Sequence, residues 1–169
     1  MSKLFDLQNK NVLLTGASKG MGLAMAQGLV NHGANVVISS RKLDQCQKAI
    51  EKINESVGQE KAFAFSCNAS SKDELNTLVD FSISRLGSIT TLVCNAGVNS
   101  FFGSMSEIDD ESYDKTMDTN VKSNHWLINM VTPSMKESGG GSIMITSSIA
   151  AFHASETLGT YSISKLAVL

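Results

Sequence analysis

The chain has 169 residues, of which 42% are hydrophobic, so it can bury a substantial core and is expected to form one nucleotide-binding domain over residues 1–169. Its formal net charge of −2, with no basic run, gives no electrostatic footprint for nucleic acid or an anionic membrane. No apolar run approaches a membrane span and Met1 to Lys10 is too short and polar for a signal peptide, which makes the cytoplasm the expected location. Ser-Lys-Leu occurs at Ser2 to Leu4 and at Ser164 to Leu166, but a peroxisomal address has to be C-terminal, so neither copy counts. Cys46, Cys67 and Cys94 lie far apart without a C-x-x-C, which predicts free buried thiols rather than disulfides or a zinc site.

In chain order, the apolar run Val12 to Leu14 feeds Thr15-Gly16-Ala17-Ser18-Lys19-Gly20-Met21-Gly22, and an amphipathic stretch continues from Met21 to Asn31. This pattern predicts a strand, a glycine turn and a helix. Gly16 suits the positive φ of a tight turn, Gly20 lets backbone approach a phosphate, and Gly22 allows close helix–strand packing. The helix N-terminus then points N–H groups at an anion. The alternation continues with Asn35 to Ser39 and Asp44 to Glu55, Ala62 to Ser66 and Lys72 to Arg85, and Thr91 to Cys94. A long helix from about Asp110 to Lys136, a strand from Ser142 to Thr146 and a helical start near Thr160 follow. Gly33, Gly87 and Gly139 to Gly141 punctuate helix ends, and Pro133 predicts a kink or early end in the longest helix. Strands separated by helices predict an α/β fold, a Rossmann-like doubly wound parallel sheet with helices on both faces. Five strands can be placed where that sheet has about six, so it is expected to be incomplete at the C-terminus.

Ligands of such a sheet bind beyond the carboxyl ends of its strands, where the unusual residues of this chain cluster. About 20 residues past the glycine turn, an NAD-preferring protein places an acid; here stand Ser39, Ser40 and Arg41. With Lys19 in the turn, two cations face the position of a 2′-phosphate, which favours NADP(H) over NAD; taken singly, each is an ordinary solvated charge. Tyr161 and Lys165 stand four residues apart and share a helix face, with Cβ atoms about 5–6 Å apart. An ammonium beside a phenol favours the phenolate and eases proton exchange. Ser147 and Ser148 follow a β-rich run and can hold a carbonyl oxygen, or simply form a turn. Asn95-Ala96-Gly97 likewise follows an apolar strand, and Asn120 is a poor helix former in the long helix. His32, His125 and His153 show no metal spacing. Trp126, Leu127, Met130 and Val131 form the packing face of their helix.

Together these positions resemble the short-chain dehydrogenase/reductase family along essentially the whole chain. Thr15-Gly16-x-x-x-Gly20-x-Gly22 matches its cofactor turn, with Ser18, Lys19 and Met21 inside it. Asn95-Ala96-Gly97 matches its Asn-Asn-Ala-Gly segment, with Cys94 in place of the first asparagine. Tyr161 and Lys165 match the Tyr-x-x-x-Lys signature, Ser148 the catalytic serine and Asn120 the helix asparagine. Asn68 stands where members often carry an adenine-contacting aspartate, and Ser40 and Arg41 fall at the adenosine ribose. The runs Ser39 to Lys42 and Asn99 to Gly103 are similar to NADP-dependent carbonyl reductases, and the resemblance to 3-oxoacyl carrier-protein reductases is almost as good. The resemblance implies NADP(H)-dependent interconversion of a carbonyl and an alcohol in a small-molecule substrate. Tyr161 would exchange the proton, Ser148 stabilise the oxyanion, Lys165 bond the nicotinamide ribose, and Asn120 hold a water. It implies no metal, nucleic acid or membrane partner, and a homo-oligomer weakened by truncation. The other reading is a catalytically inactive, truncated fragment that at most binds nucleotide or a partner subunit.

Overall fold

The computed structural model describes residues 3–153 and 155–169. Its centre is a parallel sheet of β1 (Asn11–Thr15), β2 (Asn35–Ser40), β3 (Ala62–Ser66), β4 (Thr91–Cys94) and β5 (Ser142–Ile145), in the order β3-β2-β1-β4-β5. The apolar runs of β1 and β2 are buried on both faces, as a parallel sheet covered by helices requires. Side chains alternate between the faces. Val12 and Leu14 of β1 join Val36 and Ile38 of β2 under α1 (Gly20–Asn31) and α2 (Leu43–Val57), which add Ala26, Val30 and Ile53. Leu13, Val37 and Leu92 point the other way, into Leu75 and Leu78 of α3 (Lys72–Leu86) and Leu127 and Val131 of α5 (Ser123–Glu137). Two apolar layers therefore enclose one sheet, the expected doubly wound plan.

The reversal of strand order falls between β1 and β4, and their carboxyl ends open one crevice there. On the far side β5 is the sheet edge: Ile143 and Met144, registered against Leu92 and Val93 of opposite faces, are 40% and 49% exposed. Beside it, on the α1 face, lies an apolar cavity of about 340 Å³ lined by Leu29, Val93 and Met144 among others.

The long helix departs from expectation in one respect. It does not stop at Pro133: α5 runs through that exposed proline to Glu137, because Val131 and Met135 on either side are buried in the second layer. The irregularity lies earlier, in a π-helical turn at Asp118–Lys122 between α4 (Asp110–Met117) and α5. Two side chains satisfy carbonyls there. Ser123 Oγ donates to the Thr119 carbonyl at 2.6 Å and Asn124 Nδ2 to that of Asn120 at 2.7 Å. Such π-turns are rare and concentrate at functional sites. The last helix, α6 (Gly159–Leu166), is short and has no side-chain N-cap bond.

Candidate cofactor and active site

The glycine turn is built by exclusion. Gly16 has φ +66°, and a Cβ there would stand 2.8 Å from the Ala96 Cα. A Cβ on Gly22 would run into the Gly16 carbonyl oxygen and stand 2.7 Å from the Ala17 Cα. Gly20, at φ +57°, has open space where its side chain would be, so its backbone is bare at the start of α1. The turn is tied to β4 by Asn95, whose Nδ2 donates to the Gly16 carbonyl at 2.9 Å, while the backbone N–H groups of Asn95 and Ala96 both donate to Thr15 Oγ1.

Beside this turn a cavity of about 280 Å³ gathers Met21 from α1, Asn95, Gly97 and Asn99 after β4, Thr146 and Ser147 after β5, and Tyr161 and Lys165 from α6. The i, i+4 spacing does what was expected of it: Lys165 Nζ stands 5.7 Å from the centre of the Tyr161 ring. Lys165 is buried, and its Nζ donates to the Thr146 carbonyl at 2.8 Å. Burial lowers its pKa below the ordinary lysine value. Gly97 keeps this corner open, since a Cβ there would come 3.1 Å from the Lys165 Nζ.

Asn120 does not line the cavity. It is buried in the π-turn, where Oδ1 accepts from the Val98 N–H at 2.8 Å and Nδ2 donates to the Val98 carbonyl at 2.8 Å and to Ser164 Oγ at 2.9 Å. Its amide is thus committed to protein partners, and its own carbonyl already accepts from Asn124. Of the two serines, Ser147 lines the cavity and donates to the Lys165 carbonyl at 2.7 Å, whereas Ser148 Oγ caps a short 3₁₀ turn by accepting from the Ala150 N–H at 3.2 Å.

At the ribose end, Ser39 is buried and Ser40 Oγ pairs with Cys46 Sγ at 3.1 Å, leaving the exposed Arg41 and Lys42 as the polar surface past β2. Lys19 is exposed in the turn; the one ion pair among the described residues is Lys122–Asp118. Asn68 spends its side-chain oxygen on the Ser70 N–H and hydroxyl, while its own N–H donates to Glu74. All three cysteines are free and buried, and burial pushes the thiols of Cys67 and Cys94 up to about 12. Sequence reasoning passed over Val98, Thr146 and Ser164, two of which act through backbone carbonyls that leave no signature in side-chain identity.

A parallel sheet in this order, with a glycine turn and a Tyr–Lys pair at its carboxyl edge, defines a Rossmann-like α/β protein. A family model described as short chain dehydrogenase matches residues 10–169, and the chain belongs to that family. Dehydrogenase/reductase SDR family member 4 of Homo sapiens is 38% identical over all of this chain and 60% of its own length. Among solved structures, a short-chain type dehydrogenase/reductase from Mycobacterium marinum is 32% identical, with a TM-score of 0.90 over 98% of this chain and 65% of that one. A 7α-hydroxysteroid dehydrogenase complexed with NADH and 7-oxo glycochenodeoxycholic acid is 33% identical, with a TM-score of 0.91 over 97% of this chain and 63% of that one. The chain therefore spans about 60% of the length of the curated relatives it matches. Among the described residues no helix is long and apolar enough to cross a membrane.

Proposed function

We propose that residues 1–169 form one nucleotide-binding unit carrying the reaction centre of a cytoplasmic, NADP(H)-dependent oxidoreductase that interconverts a carbonyl and an alcohol in a small molecule. The observation that carries this reading is the crevice in which Met21, at the start of α1 beside the glycine turn, meets Gly97, Tyr161 and the buried Lys165. The residues present fit a dinucleotide. The turn from Gly16 through Ser18 to Gly22 offers N–H groups to a pyrophosphate, and the open corner at Gly97 and Lys165 takes the nicotinamide ribose. Asn95, Ala96 and Gly97 back that corner, and Asn68 borders the adenine region. Lys19, Ser40 and Arg41, with serine rather than an acid at positions 39 and 40, suit a 2′-phosphate better than a bare hydroxyl.

When bound, the nicotinamide supplies or takes up the hydride. Tyr161 gives its phenolic proton to the carbonyl oxygen as the carbon is reduced, and recovers it from solvent. Lys165, its charge kept near the phenol by the Thr146 carbonyl, favours the phenolate left behind. A serine hydroxyl from the Ser147–Ser148 pair bonds the developing oxyanion; Ser148 is the family-matched residue, and because its Oγ only accepts from the Ala150 N–H it can still donate its own proton. Asn120 acts from behind, holding the Val98 backbone and α6 in register.

The test is turnover of NADPH with a simple diketone by this chain, set against Tyr161→Phe. General acid catalysis is worth about 10²–10⁴-fold, so the variant is expected to lose at least roughly 100-fold while binding NADPH as before. A loss below tenfold removes Tyr161 from the reaction. The half-exposed, doubly apolar edge strand β5 favours a second reading, a non-catalytic nucleotide-binding piece that pairs with another polypeptide. Saturable NADPH binding without any turnover selects that one.

A further inference from the structure

We propose that Ser164 is a positioning residue: its hydroxyl fixes the turn of α6 that carries Tyr161 and Lys165 against Asn120. Ser164 is completely buried. Its Oγ donates to the Tyr161 carbonyl at 2.7 Å and accepts from Asn120 Nδ2 at 2.9 Å. Asn120 is in turn clamped to both backbone groups of Val98. One line of hydrogen bonds thus runs from the loop after β4, through the π-turn, into the helical turn that bears both reactive side chains.

Such a tie is needed because α6 cannot hold itself. It spans only eight residues and lacks a side-chain N-cap, while isolated helices shorter than about 12–15 residues are marginal in water. Of its other polar anchors, Thr160 Oγ1 makes only a long 3.8 Å bond to the Met105 sulfur at the first turn, while Ser147 Oγ on the Lys165 carbonyl and Lys165 Nζ on the Thr146 carbonyl both sit at residue 165 and reach the same short segment after β5. Ser164 supplies an independent anchor on another element, and two anchors on different elements fix the rotation of a short helix where one does not. Without the hydroxyl, one N–H of the buried Asn120 amide is left with no acceptor, and α6 is free to turn. Ser82 provides the contrast: it is equally buried, but its Oγ donates to the Leu78 carbonyl of its own helix, α3, far from the crevice in the fold.

The proposal rests on Lys165 being the lysine of the nucleotide site, and its test needs no turnover. The chain is labelled with ¹³C at the lysine ε-carbons, and the Lys165 resonance is assigned by its loss in Lys165→Met. Seated near the face of the Tyr161 ring, that carbon resonates away from the surface lysines. Ser164→Ala is expected to move it at least halfway toward them, while Ser82→Ala leaves it in place, although both variants lower the melting temperature. Should Ser164→Ala not fold, Ser164→Cys, which keeps the volume and weakens the bond, carries the same expectation. The proposal is overturned if the resonance in the Ser164 variant stays within the spread of the Ser82 variant. Failure of the wild-type chain to bind NADPH would remove the functional reading while leaving this result to stand or fall separately.

Discussion

Three glycines of α1 and its turn provide a graded test of the local geometry. Gly28 lies inside the helix, and a methyl added there meets nothing within 4 Å, so Gly28→Ala removes backbone entropy from the unfolded chain at no steric cost. That gain is about 0.5–1 kcal/mol. Gly20 also has open space, but its φ of +57° places any L side chain in the left-handed region, at a cost of about 1–2 kcal/mol. At Gly22 the added methyl meets backbone atoms of Gly16 and Ala17 and stands 2.8 Å from Asn95 Nδ2, none of which can swing away. Its cost is roughly 3 kcal/mol, the top of the overpacking range. For a domain of this size 1 kcal/mol moves Tm by about 2–4 °C. Thermal unfolding followed by circular dichroism should therefore rank Gly28→Ala above wild type by a few degrees at most, Gly20→Ala below it by about 2–8 °C, and Gly22→Ala lowest. A Gly22→Ala variant as stable as wild type, or a Gly28→Ala variant less stable than Gly20→Ala, would refute the reasoning.

Further outcomes follow from charge and burial. Arg41→Asp should weaken NADPH binding by at least roughly tenfold, since a charged hydrogen bond is worth about 1.5–3 kcal/mol, and leave NADH binding level or improved; an unchanged NADPH/NADH ratio in fluorescence titrations removes Arg41 from the phosphate site. Because burial holds Cys67 and Cys94 as thiols up to about 12, neither should react with an aromatic disulfide reagent at pH 8 faster than the protein unfolds; prompt native-state labelling of either contradicts their placement. The folded pKa of Lys165 lies below its unfolded value of 10.5, so the unfolded chain binds more protons between the two and native stability rises with pH across that window. Relative to Lys165→Met, wild type should gain in urea midpoint as pH increases toward 10.5; a constant difference would mean that the ammonium is solvated.

The parts of this structure legible in the sequence are those written in local pattern. Apolar runs such as Val36 to Ile38 could only be interior strands, and the glycines at 16, 20 and 22 announced a turn whose sterics the structure reproduces. The i, i+4 pair at 161 and 165 needed only a helix to bring it together. What stayed hidden depends on tertiary contact. Pro133 argued for a kink or an early helix end; α5 does not end there, because Val131 and Met135 on either side are buried, a packing term no local rule contains. The π-turn was unreadable because its stabilisers, Ser123 and Asn124, look like ordinary polar helix residues until their carbonyl partners are known. Thr146 and Val98 act through main-chain atoms, and Ser164 matters through an amide 44 residues away.

On the proposed function, the crevice between the glycine turn and the Tyr161–Lys165 helix holds a nicotinamide dinucleotide. Titration of the purified chain with NADPH at low salt, following the nicotinamide fluorescence, tests it most directly. Saturable one-to-one binding is expected, tighter than for NADH. The absence of saturable binding by protein that melts in a single cooperative transition would contradict it.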